Sequence, residues 1–310
     1  MKVRIVIFGT SSFGVASFQA VANDEHVEIV GVVSQPARPV GRKQVLTPSA
    51  VEVWAKENNF SVLTPTTLKK PEIQQQVVDL KADVFVVASY GLILPKAVLD
   101  FAARGAMNIH ASLLPRYRGA GPIAAAIVNG DTETGITFMV MDPGCDTGPM
   151  IQAFPIPITS TVTKPELEQQ LSKLAAKNIV ATFHGWLDKK IIPQPQSEDG
   201  VSLAPKLSRE DGHAIWDDAT TLERKIRAYQ PWPGIWTMWN GTEMKILKAT
   251  VSQEQHTEQP GTIIPYQKSW AVVCSAGILI PTEIQMSGKK PQLASSLPGS
   301  YPNVIGSRLG

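Results

Sequence analysis

The chain has only two cysteines in 310 residues, Cys145 and Cys274, with no Cys-x-x-Cys pair and no Cys/His spacing. That scarcity argues against both a disulfide framework and a structural zinc site. Long apolar runs are missing too. Nothing approaches the ~20 consecutive apolar residues of a membrane span. The N-terminal run is short and turns at Gly9, which does not suit a secretory leader. Nor does one sign of charge dominate: 29 Lys and Arg face 27 Asp and Glu, a formal net charge of +2. So mild a balance is compatible with a nucleic-acid partner without pointing to one. What is present is ordinary globular composition, 43% hydrophobic and 18% charged. The chain reads as a soluble protein of a reducing compartment, expected in the cytoplasm, and its length suggests two domains.

Val3 to Phe8 is a continuous apolar run that ends in Gly9-Thr10-Ser11-Ser12-Phe13-Gly14 and leads into an apolar-periodic segment. Such a pattern predicts strand, tight turn and helix. Further buried strands are expected at 29–33, 84–88, 105–109 and 135–141, with helices over 47–59, 70–80 and 122–128 between them. Alternation of this kind predicts an α/β fold with a mostly parallel sheet covered on both faces. The Gly9 to Gly14 turn lacks the Lys-Ser/Thr of a phosphate loop and the central glycine of a dinucleotide fingerprint, so a plain turn is the better reading. A long amphipathic helix is expected over 165–187, with Leu167, Leu171, Leu174, Ile179 and Phe183 on its buried face. The proline-containing Ile191 to Gln196 then reads as linker. Beyond Ser208 one helix, near 220–229, is followed by short, Gly/Pro-punctuated strands that suggest a small OB-like β-barrel. The expected division is 1–189, a linker over 190–207, and 208–310.

Asn108 and His110 close one apolar run, and Asp146 follows another. In a parallel sheet those positions converge at the carboxyl edge, where ligands sit. A neutral amide can donate to a developing oxyanion, an imidazole can move a proton near neutral pH, and a carboxylate can orient that imidazole. Acyl transfer to an amine requires those three roles and no nucleophilic Ser or Cys. Each residue alone is better read as a turn or satisfied polar group. Cys145, beside Asp146 and without a basic helper, reads as a small filler.

The string Asn108-Ile-His-Ala-Ser-Leu-Leu-Pro-Arg-Tyr-Arg-Gly resembles the 10-formyltetrahydrofolate-dependent formyltransferase family. So do Asp146-Thr-Gly, Tyr90-Gly-Leu-Ile-Leu-Pro and Gln35-Pro-Ala-Arg-Pro-Val-Gly-Arg-Lys. With Ala204-Pro-Lys-Leu and Pro231-Trp-Pro-Gly, the resemblance extends over most of the chain and falls within the branch that acts on methionyl initiator tRNA. It implies a Rossmann-like sheet with a C-terminal OB-like barrel that binds tRNA, a formyl-folate co-substrate, no metal, and a monomer. Asn108, His110 and Asp146 are then the implied catalytic residues. Ser112, Leu113, Leu114 and Pro115, with Tyr90, Gly91 and Leu92, are the implied folate pocket. Arg38, Arg42, Lys43 and Lys206 are the implied tRNA contacts, Arg42 foremost because a guanidinium can pair with phosphate or a base edge. Ser11 after Thr10, where the family more usually has proline, and Pro149 after Asp-Thr-Gly depart from the pattern without touching the three central residues.

An enzyme that formylates an amino-sugar nucleotide would share those three residues and a similar second domain. Hydrolysis of the formyl folate would make the basic loop and second domain superfluous. The basic loop around Arg42 and the Pro231-Trp232-Pro233 segment favour tRNA.

Overall fold

The computed structural model describes residues 2–41 and 43–310. They form two compact units: 1–122 with 133–157 and 168–205, and 123–132 with 158–167 and 206–310. Among the described residues no helix is long and apolar enough to cross a membrane.

The first unit is built on strands β1 (Val3–Gly9), β2 (Val27–Val33), β5 (Val62–Leu63), β6 (Val84–Ala88), β7 (Ala106–His110), β8 (Glu133–Val140) and β9 (Met150–Pro157). A separate hairpin carries β3 (Arg38–Val40) and β4 (Val45–Thr47). The sheet order is β5-β2-β1-β6-β7-β8-β9, parallel from β5 to β7 and antiparallel from β7 to β9. The predicted parallel sheet is therefore there, with an antiparallel edge whose last strand sequence reading passed over. The apolar density of β1 and β6 follows from burial: Ile5 to Phe8 and Val84 to Ala88 are all buried, as strands covered on both faces require.

Helices α1 (Val15–Ala22), α2 (Ala50–Glu57), α3 (Pro71–Val78) and α4 (Lys96–Leu99) connect these strands. The serine before α2, Ser49, accepts from the Glu52 N–H as an N-cap. One core runs from Phe8 and Phe85, in edge contact at 5.0 Å, to Tyr90, Leu94 and Val98. Helix α5 spans Pro122–Asn129, and α6 spans Lys164–Leu187. Leu167, Leu171, Ala175, Ile179 and Phe183 are all sealed from solvent, a strict four-residue stripe. Ala175 takes the buried place expected of Leu174, which is only half-buried.

Residues 190–205, expected as linker, are fastened to the first unit. Gln194 exchanges backbone hydrogen bonds with Met150, and Ser202 and Ala204 bond to Arg118. Proline-rich composition here marks an extended strap with its backbone groups paired, not a free tether.

The second unit holds α7 (Ala219–Ala228) and the strands β10 (Ile235–Trp239), β11 (Thr242–Ser252), β12 (Ile263–Tyr266), β13 (Ser269–Val273), β14 (Ile278–Met286) and β15 (Gln292–Leu293), with α7 packed on β11 and β14. The antiparallel path is β10-β11-β14-β13-β12, with β15 on β14, and the ladder does not close into a barrel. Segment 306–310 satisfies both edges of that path. Gly306 and Ser307 exchange bonds with Ile263, and Gly310 exchanges bonds with Met238 of β10.

Asp218 caps α7 by accepting from the Thr220 and Thr221 N–H groups and from the Thr221 hydroxyl. The Thr221 hydroxyl first, then the helix N–H groups, hold its carboxyl below the usual carboxylate value. A lowered folded pKa stabilises above the ordinary carboxylate pKa and is lost as pH falls through the folded value. Asp218→Ala is expected to cost about 1 kcal/mol at neutral pH. Urea titrations should show that difference shrinking below about pH 4; a difference that is constant or grows on acidification would contradict the cap.

Candidate active site

Strand β7 ends in Asn108-Ile109-His110, and alternation places residues 108 and 110 on the same face of the sheet. The loop after β8 returns Asp146 to them in the left-handed region, φ +53°, which an aspartate tolerates better than most residues. Its carboxylate is the meeting point. Oδ1 accepts from Asn108 Nδ2 at 3.3 Å, Oδ2 accepts from the Gly119 N–H at 2.8 Å, and Oδ2 lies 3.6 Å from His110 Nδ1. The structure thus brings all three predicted residues together within the first unit.

His110 is 5% exposed, and its other nitrogen faces the Tyr117 carbonyl at 2.9 Å. A carbonyl only accepts, so Nε2 carries the proton. Proton exchange therefore belongs to Nδ1, the nitrogen turned toward Asp146. Sequence reasoning assigned the orienting of His110 to Asp146 alone; the Tyr117 carbonyl shares that work, and no side-chain pattern could reveal a backbone group. Asn108 has a second amide N–H beyond the one given to Asp146. The resulting cluster gathers an amide donor and an imidazole nitrogen about one carboxylate. Among the described residues no group of three His, Cys, Asp or Glu side chains is placed to hold a metal ion.

The approach of Gly119 to Asp146 depends on its lacking a side chain. Its φ is +114°, and a Cβ would stand 2.7 Å from the Ala204 carbonyl oxygen. Cys145, next to Asp146, has its thiol pushed up, first by burial and then by the neighbouring carboxylate, so it stays protonated at neutral pH. Cys145 is exposed and stands in the wall of the pocket beside Asp146, so it does not fill interior space.

A pocket of about 170 Å³ opens beside Asp146, walled by Leu92, Ile93, Leu94, Met139 and Met141. Of the residues expected at a folate pocket, Leu92 lines it. Tyr90 is buried in the core; burial pushes its phenol up to about 12, and its hydroxyl has no partner among the described residues. The Tyr90 carbonyl already accepts from Thr10 Oγ1 at 2.8 Å and from Gln35 Nε2 at 2.6 Å, which fills both lone pairs.

Ser112, Leu113, Leu114 and Pro115 do not line this pocket. Ser112 is sealed from solvent with its hydroxyl given to the Arg116 carbonyl, and Leu114 donates its N–H to Thr137 Oγ1. Their placement makes the turn that carries Tyr117 and Gly119.

Arg38 and Lys43 are exposed on the β3–β4 hairpin, and Lys206 is exposed in the second unit. Arg38 gives one guanidinium nitrogen to Gln35 Oε1. Arg42 lies outside the described residues. Val40, Val45 and Leu46 on the hairpin are also exposed, an apolar component the basic reading of this loop missed.

Residues 1–183 match the formyl transferase model and 206–301 match the formyl transferase C-terminal domain model. The chain belongs to the formyltransferase family. It is 42% identical to a methionyl-tRNA formyltransferase of Thiobacillus denitrificans, over 99% of this chain and all of that one. Among solved structures, it is similar in fold to an N-formyltransferase from Helicobacter canadensis in complex with folinic acid and dTDP-3-aminofucose. That match has a TM-score of 0.66 and 18% identity, over 90% of this chain and 99% of that one. A phosphoribosylglycinamide formyltransferase from Bacillus halodurans matches with TM-score 0.51 and 24% identity, over 60% of this chain and 96% of that one.

Gly119→Ala is expected to lose about 1–3 kcal/mol through the forced φ and the Ala204 clash, read as a lower urea midpoint. Cys145→Ser should keep turnover within about threefold, the scale of a surface change; abolished turnover would mean the thiol takes part.

Proposed function

We propose that the protein transfers the formyl group of 10-formyltetrahydrofolate to the amino group of methionyl initiator tRNA, for translation initiation. One observation carries the choice of acceptor: the end-to-end 42% identity to a methionyl-tRNA formyltransferase, against 18% to the sugar N-formyltransferase. The exposed hairpin with Arg38, Lys43 and the apolar Val40, Val45 and Leu46 supports it, since a phosphate-rich acceptor with exposed bases offers partners to both kinds of side chain. Lys206 would add a phosphate contact from the second unit.

The amine nitrogen attacks the formyl carbon, and a tetrahedral intermediate forms with its negative charge on the former carbonyl oxygen. The free N–H of Asn108 donates to that oxygen. His110 Nδ1 handles the proton that leaves the attacking amine and must reach the folate nitrogen as the carbon–nitrogen bond breaks. Asp146 stabilises the imidazolium that forms between those events. The products are formylated amine and tetrahydrofolate, so atoms and charge balance with no covalent enzyme intermediate. The 170 Å³ pocket is below the ~300 Å³ at which pockets enclose a whole drug-sized ligand. It suits one flat ring system between Leu92 and Met139.

Two measurements test this. Asn108→Ala should lower turnover by roughly two to three orders of magnitude, the loss of one oxyanion donor at about 3–4 kcal/mol, and His110→Ala by about two to four, the loss of a positioned proton carrier. The wild-type protein, given formyl folate with methionyl initiator tRNA or separately with an amino-sugar nucleotide, should formylate the tRNA. Formyl transfer only to the sugar would overturn the acceptor while leaving the catalytic reading intact.

A further inference from the structure

The strap over residues 190–205 brings the Gln196 side chain to the back of the site. Gln196 Nε2 donates to the Asp146 carbonyl at 2.7 Å and to the Gly148 carbonyl at 2.9 Å. Its Oε1 accepts from Arg118 Nε at 3.0 Å and Nη2 at 2.8 Å. The amide orientation is determined by its partners: two carbonyls on one side and two N–H donors on the other admit only this assignment. Four hydrogen bonds to a single primary amide leave it no other geometry.

The partners are what make this consequential. Asp146 carries the carboxylate that faces His110, and its left-handed φ of +53° requires the surrounding loop to hold it. Arg118 stands between Tyr117, whose carbonyl accepts from His110 Nε2, and Gly119, whose N–H donates to Asp146 Oδ2. One face of Gln196 therefore grips the loop bearing the carboxylate, and the other grips the loop that orients the imidazole. Two side-chain-to-backbone bonds and a forked guanidinium contact hold the separation between them. All these residues lie in the first unit.

We propose that Gln196 is a positioning residue for formyl transfer, which sets the Asp146 carboxylate against His110 by clamping the 142–149 and 115–121 loops together. The inference rests on the catalytic reading of Asp146 and His110 given above. Gln196 touches no reacting atom and acts through Asp146. Gln196→Met removes both halves of the clamp at similar volume. Gln196→Glu keeps the acceptor for Arg118 but turns a carboxylate oxygen toward two carbonyls.

Both variants should lower kcat by about ten- to a hundredfold, the scale on which misplacement of a catalytic group is felt. KM for formyl folate should stay within about twofold. If Gln196 works through Asp146, then Gln196→Met added to Asp146→Asn should lower kcat by no more than about a further threefold. Wild-type kcat in Gln196→Met, an unchanged kcat with raised KM, or a full additional loss in the Asp146→Asn background would each overturn the proposal. Asp146→Asn with wild-type kcat would instead overturn the underlying reading of the site, so the two failures are distinguishable.

Discussion

The carboxylate of Asp146 is the constraint on which the site is organised. It sits in a left-handed backbone conformation, takes an amide N–H from Asn108 on one oxygen and the Gly119 N–H on the other, and stands 3.6 Å from His110 Nδ1. A half-buried negative charge needs such donors, because desolvation costs several kcal/mol when they are missing. Satisfying it forces the 115–121 loop to approach with a glycine at 119, and the Ala204 carbonyl then occupies the space a side chain would need. The Tyr117 carbonyl, two residues before Gly119, fixes the imidazole from its far side. Chemistry, backbone strain and loop packing are thus one arrangement.

That arrangement draws on segments far apart in the chain. Strand β7 supplies Asn108 and His110, the turn after β8 supplies Asp146, and the strap supplies Ser202, whose hydroxyl accepts from the Tyr117 N–H. An antiparallel edge on a parallel sheet is what makes this possible. β8 runs against β7, so the loop leaving β8 passes beside residues 106–108. In the second unit segment 306–310 pairs with both edges of an open antiparallel path, so the exposed strand edges that invite aggregation are covered by the chain itself.

The legible parts of the sequence were those where periodicity reports burial. β6 and β7, with every apolar side chain buried, fall within a residue of expectation, and so does the long helix. The triad was legible because its residue types are the chemistry. What could not be read is backbone: the Tyr117 carbonyl, the Gly119 N–H and the saturation of the Tyr90 carbonyl have no side-chain signature. Ser112 to Pro115 carried the family motif, yet Ser112 and Leu114 are buried structural residues. A specific string can mark a site while shaping the turn beneath it. The strap resembles a linker in its prolines and glutamines; its backbone bonds to Met150 and Arg118 and the partners of Gln196 reveal otherwise. The antiparallel strand β9 escaped notice because Met150 to Pro157 alternates weakly and contains proline.

The central claim is that His110 exchanges protons through Nδ1 while Nε2 stays bound to the Tyr117 carbonyl. Nitrogen-15 NMR of the imidazole, assigned by comparison with His110→Gln, tests it most directly. In the neutral ring the proton is predicted on Nε2, with Nδ1 bare. A neutral His110 protonated on Nδ1 would contradict it.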